Sequence, residues 1–189
     1  MVNIIVSWMI MIINRRDNMS FYELAKSRYS ARSFSDRKVS DEDIYKIIEC
    51  GRISPTAKNL QPEMIYVIKS EEGMSKLKNV CKMTYNAPVC LMVCADKNIS
   101  WKNELEDGYD SYKMDASIVA THMMLEATDL GINSVWVRMF NSKEVSKEFD
   151  LPNNIVLVCL LMIGYIKEGF GPSRLHDNRK DISEIVRYL

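Results

Sequence analysis

The chain has 189 residues, with 25 Lys and Arg against 25 Asp and Glu, so its formal net charge is zero. At 47% hydrophobic and 26% charged residues the composition disfavours a long disordered chain, a collagen or a disulfide-framework toxin, and the balanced charge disfavours an electrostatic nucleic-acid binder. The length predicts one domain, because a chain of this size buries roughly 70% of its surface on folding and needs no staples.

Residues 1–18 differ from the rest. Met1 to Ile13 is almost wholly apolar and Asn14-Arg15-Arg16-Asp17-Asn18 follows. As a helix this run would cover only about 20 Å of a hydrocarbon core near 30 Å thick, so it is too short to span a membrane. Its basic pair comes after the apolar run and no small-residue cleavage site follows, which is the wrong order for a secretory signal. The expectation is an extension outside the domain, with Met19 as the natural start; the alternative is an apolar arm that packs on a partner subunit. Residues 19–189 are expected to form the single domain.

Phe21 to Lys26 reads as a short helix and Arg28 to Asp36 as a polar connector. Ser40-Asp41-Glu42-Asp43 resembles a capping box, and Ile44, Ile47, Ile48 and Gly51 share one helical face, which predicts a helix over 41–52. Ser54-Pro55 ends it. A loop through Pro62 leads to a strand at 64–68, followed by a helix over 71–81 and a strand over 89–95. Tyr112, Ala116, Val119, Ala120, Met123, Ala127 and Leu130 recur at helical spacing and predict a long helix over 110–130, stopped by Gly131. A strand at 132–137, a helix at 142–149 with Ser142 as its cap, a buried strand at 155–163 and a last helix near 181–188 complete the reading.

Cys50, Cys81, Cys90, Cys94 and Cys159 are odd in number and mostly in apolar settings, which points to reduced core thiols and a cytoplasmic protein. Cys90 and Cys94 would lie about 13 Å apart on one face of a strand, too far for a disulfide. His122 and His176 stand in no ligand spacing with cysteines or carboxylates, so no metal is expected. No Gly-x-Gly-x-x-Gly turn follows a strand, and neither a P-loop nor a Gly-x-Ser-x-Gly elbow is present.

Three segments carry candidate chemistry. Arg28-Tyr29-Ser30-Ala31-Arg32 puts two guanidinium groups and a hydroxyl within five residues, which suits either a phosphate or carboxylate fork or a solvated basic turn. Arg174, His176, Arg179 and Lys180 form a second basic cluster, equally readable as a charged tail. The segment Ser54-Pro55-Thr56-Ala57-Lys58-Asn59-Leu60-Gln61-Pro62 is a turn whose amides could read the edge of a heterocycle.

Together with Gly131-Ile132-Asn133-Ser134-Val135-Trp136, these segments resemble the nitroreductase-like flavoproteins in order and spacing, from about residue 19 to 189. The resemblance implies an α+β nitroreductase-like fold, with a central, mostly antiparallel sheet flanked by helices, in an intertwined homodimer that binds FMN at its interface. Carried over, Arg28, Ser30 and Arg32, with Tyr29 among them, would hold the phosphate, ribityl chain and pyrimidine edge, and Arg179 would close on the phosphate. Pro55, Thr56 and Asn59 would reach the isoalloxazine from the partner subunit, and backbone groups of Val135, Trp136 and Val137 would line the ring. No side chain need act as a nucleophile, so no catalytic residue is assigned.

Two departures from relatives stand out: Asn133 where many have a second glycine, and Glu63 after Gln61-Pro62 where Trp is common. Asn is the next best residue for a left-handed conformation at that position. Arg138 is either a substrate-facing charge or a solvated one, and Trp136 either core or ring neighbour. The implied activity is ping-pong hydride transfer from NADH or NADPH through FMN to a nitroaromatic or quinone acceptor. The rivals are another flavin reaction on the same fold (reductive dehalogenation or flavin fragmentation) and a flavin- or anion-binding module without turnover. Neither nucleic acid nor a membrane is expected as a partner.

Overall fold

A computed structural model describes residues 19–189; the expectations for residues 1–18 lie outside the described residues. Ser20 caps the first helix, α1 (Phe21–Ser27), by accepting from the Glu23 N–H at 3.2 Å. Ser40 caps α2 (Asp41–Arg52), accepting from the Asp43 N–H at 3.0 Å while its hydroxyl donates to the Asp43 carboxylate. Ser40 is thus the expected cap, but Asp43 accepts from the serine hydroxyl and not from its backbone N–H, so the capping box that the sequence resembles is only half formed.

Strand β1 (Glu63–Ile68) leads to α3 (Glu71–Val80), then β2 (Val89–Asp96), the long α4 (Tyr112–Asp129), β3 (Asn133–Val137), α5 (Ser142–Glu148), β4 (Ile155–Gly164) and the short α6 (Ile182–Ile185). Two starts and stops differ from expectation. Asn141, not Ser142, caps α5, its Oδ1 accepting from the Lys143 N–H at 3.1 Å. The last helix is four residues rather than eight, because Val186 turns extended and the exposed tail buries too little apolar surface to propagate a helix.

The strands form one antiparallel sheet in the order β1-β2-β4-β3, with a register shift between Val93 and Cys94. Its two faces bury two separate cores. Leu91, Val93, Cys159, Leu161 and Ile163 face Ile44 and Ile47 of α2 and the Ala116, Val119, Ala120, Met123 and Ala127 stripe of α4. Cys90, Met92, Cys94, Leu160 and Met162 face Met74 and Leu77 of α3, Val145 of α5, and Ala31 and Phe34 of the connector after α1. Both faces being covered explains the continuous apolar runs of β2 and β4, whose residues are nearly all buried. Gly131 closes α4 at φ 72°, where a Cβ would be strained.

Among the described residues no helix is long and apolar enough to cross a membrane, and no cluster of three metal-ligating side chains is present.

Candidate functional site

The connector after α1 is held on the outer edge of β3: Ser30 forms a parallel bridge with Ser134, and the Ala31 N–H donates to the Ser134 carbonyl at 3.0 Å. Phe34 then anchors it in the core. This attachment fixes Arg28 to Arg32 as a rim beside an edge strand rather than a free basic turn.

The C-terminal segment returns to the same rim. Arg28, Ser30 and Arg32 on one side and Ser173, His176 and Arg179 on the other line one cleft of about 230 Å³, with Tyr29 and Leu175 completing its wall. The Tyr29 and His176 rings meet edge to face, centroids 6.1 Å apart. Among the described residues no carboxylate lines the cleft. Burial lowers the Arg28 pKa, and the nearby Arg179 charge lowers it further. Burial raises the Tyr29 hydroxyl, partly offset by its hydrogen bond with Asn133. The two basic clusters, each ambiguous alone, thus share one concave site; Arg174 and Lys180 are not part of its lining.

Beyond the rim, β3 offers backbone. Hydrogen-bonding direction alternates along an antiparallel strand, so the Ser134 groups that face the Ser30 segment put the Trp136 N–H and C=O on the same open edge, while Val135 and Val137 turn theirs toward Met162 and Leu160 of β4. The three residues expected to present backbone therefore divide: Trp136 does, the two valines do not. The Trp136 side chain packs against the α2–α4 core. Asn133 is not left-handed: it opens β3, and its Oδ1 accepts from the Ile166 N–H at 3.0 Å. That side-chain bond is a job no glycine could do there.

Pro55, Thr56 and Asn59 do not line the cleft and lie in the loop between α2 and β1. Lys58, Asn59 and Gln61 all have φ near +50°. Thr56 Oγ1 accepts from the Gln61 N–H at 3.1 Å, and the Ala57 N–H donates to Asp115 Oδ1 at 2.9 Å. Arg138 is exposed, donating to Ser142 Oγ at 3.1 Å with its guanidinium 4.8 Å from the Phe140 ring centroid.

Sequence reasoning missed one buried acid and one half-buried one. Asp115 is 3% exposed on the inner side of α4, where it stands four residues before Val119 in an otherwise apolar stripe; that interruption was the available signal. Glu63 buries one carboxylate oxygen without a partner, and burial, then the Asp115 charge, raises its pKa.

The sequence profile of the Nitroreductase family matches residues 25–85 and 81–165, and the chain belongs to that family. It has the family's α+β fold. A nitroreductase family protein from Clostridium difficile 630 superposes with a TM-score of 0.84 at 43% identity, covering 90% of this chain and 98% of that one. A nitroreductase from Exiguobacterium sibiricum 255-15, solved in complex with FMN, has a TM-score of 0.76 at 23% identity, covering 90% and 98%. By sequence, the chain is 32% identical over 166 residues to an Archaeoglobus fulgidus protein named NADH dehydrogenase/NAD(P)H nitroreductase, spanning 79% of this chain and 92% of the relative.

Proposed function

We propose that the protein is an FMN-dependent oxidoreductase that passes a hydride from NADH or NADPH to an electron-poor acceptor, a nitroaromatic or quinone, in ping-pong order. The observation that carries this reading is the cleft that Arg28, Arg32 and Arg179 line together, with no carboxylate among the described residues of its wall. Such an arrangement suits a dianionic phosphate, each charge-assisted hydrogen bond contributing about 1.5–3 kcal/mol.

At about 230 Å³ the cleft is smaller than the roughly 300–1,000 Å³ of ordinary cofactor sites. It would hold the phosphate end, and the open Trp136 backbone edge of β3 would be left for the rest of the group. Pro55, Thr56 and Asn59, which do not line the cleft, act on the flavin of a partner subunit in a homodimer. Bound FMN supplies two-electron chemistry; the protein supplies orientation. Arg28 and Arg179 fix the phosphate, Tyr29 and Ser30 line the approach, and Arg32 places a permanent positive charge on the rim, where it favours negative charge developing on the pyrimidine side. Free thiols at all five cysteines support a cytoplasmic protein.

The test is anaerobic: protein reconstituted with FMN should lose its visible flavin band on addition of NADH or NADPH and regain it when a quinone or nitroaromatic is added. A band untouched by both nicotinamides contradicts the proposal and favours a binding module without turnover.

A further inference from the structure

We infer that Asp115 is the positioning residue for the flavin-facing loop, holding residues 56–61 in register with the rest of the fold through the Ala57 N–H. The inference rests on the proposed flavin site.

The loop has an unfavourable shape. Lys58, Asn59 and Gln61 carry φ of 51°, 53° and 51°, a region disfavoured for any residue with a Cβ and least so for Asn. Its own hydrogen bonds define the turn: the Asn59 N–H to the Thr56 carbonyl at 2.9 Å, the Leu60 N–H to the Ala57 carbonyl at 3.2 Å and the Gln61 N–H to Thr56 Oγ1. None of these attaches it to anything else. Among the described residues, the one hydrogen bond leaving residues 55–61 for another element is that from Ala57 to Asp115 Oδ1 at 2.9 Å.

Asp115 is otherwise hard to explain. It is 3% exposed, no basic side chain pairs with it among the described residues, and its second oxygen accepts the Ser111 hydroxyl at 2.7 Å. A buried carboxylate served only by neutral donors is unfavourable, with partial relief from the N-terminal turn of α4. Alanine would continue the apolar stripe without that penalty. An acceptor aimed at the Ala57 N–H accounts for the acid, and it makes the rigid α4, packed on the sheet, the reference to which Thr56 and Asn59 are set.

Three variants test this, read by FMN affinity and by amide exchange in the apoprotein. Asp115→Ala should weaken FMN binding at least 10-fold and speed exchange at Ala57, while α4 amides from Ala116 to Ala127 stay as protected as in the wild type. Asp115→Asn keeps an acceptor oxygen and should recover most of that loss. Ala57→Pro removes the donor from the loop side, at a position where proline suits the first helical residue and Thr56 is already extended; it should weaken FMN about as much as Asp115→Ala and is decisive if the latter fails to fold. Wild-type affinity in the Ala57→Pro protein, or Asp115→Asn as impaired as Asp115→Ala, overturns the inference. If the wild type itself binds no FMN, the flavin reading fails, and exchange at Ala57 alone decides the anchoring: unchanged exchange in Asp115→Ala overturns it.

Discussion

Burial decides how individual side chains behave. Desolvation pushes the Cys94 thiol up to about 12 and raises Cys90 and Cys159 further, so none of the three is a thiolate at neutral pH. Because the folded pKa lies above the unfolded value of 9.0, their contribution to stability is full below pH 9 and is lost as pH rises from there toward 12. Each thiol should lower stability by about 1.4 kcal/mol per pH unit in that window. Denaturant midpoints measured at pH 8 and 10 check this: the fall should be smaller in Cys94→Ala than in the wild type, and equal falls would contradict it. The same scale separates what the sequence disclosed from what it hid. Arg28, Ser30, Arg32 and Arg179 were legible because permanent charge and a hydroxyl at short spacing narrow the chemistry to anions. That Arg28 and Arg179 line one cleft was not, since residues about 150 positions apart meet only through the tertiary fold. Asp115 hid inside an apolar stripe whose periodicity alone suffices to predict a helix.

Elements were legible where period and capping agreed. α2 and α4 matched expectation to within two residues, because Ser40 caps one and Gly131 stops the other. The exception is α6, where a lost turn moves the boundary; α5 keeps its expected range to within one residue and only its cap moves to Asn141. The connector carrying Arg28 to Arg32 is held by a contact that no pattern foretells: Gly164 at the end of β4 lets Phe34 and Pro88 come so close that a Cβ there would lie 2.6 Å from Pro88 Cδ and 3.0 Å from Phe34 Cδ1. Neither ring can swing away like the end of a flexible chain. Gly164→Ala should therefore destabilise by about 1–3 kcal/mol and loosen the rim, read as a lower melting temperature together with weaker FMN binding. An unchanged melting temperature would mean that the Phe34 clamp has slack.

At the level of the whole molecule, two helical layers against one antiparallel sheet leave β3 as an edge strand, and the N- and C-terminal parts of the chain converge on that edge. The proposed cofactor site lies there without a Rossmann or P-loop signature in the sequence. In the proposed homodimer the loop at 56–61, which does not line that cleft, would come to it from the second subunit. The claim on which this arrangement turns is that the Arg28–Arg179 cleft recognises phosphate. It is tested most directly by titrating FMN and riboflavin, which lacks the phosphate, into the wild type and into the Arg28→Ala/Arg179→Ala protein. The account predicts one FMN per chain and an FMN preference of at least 100-fold in the wild type, about two charge-assisted hydrogen bonds' worth, with the double variant binding both flavins equally weakly; an FMN preference that survives in the double variant would contradict it.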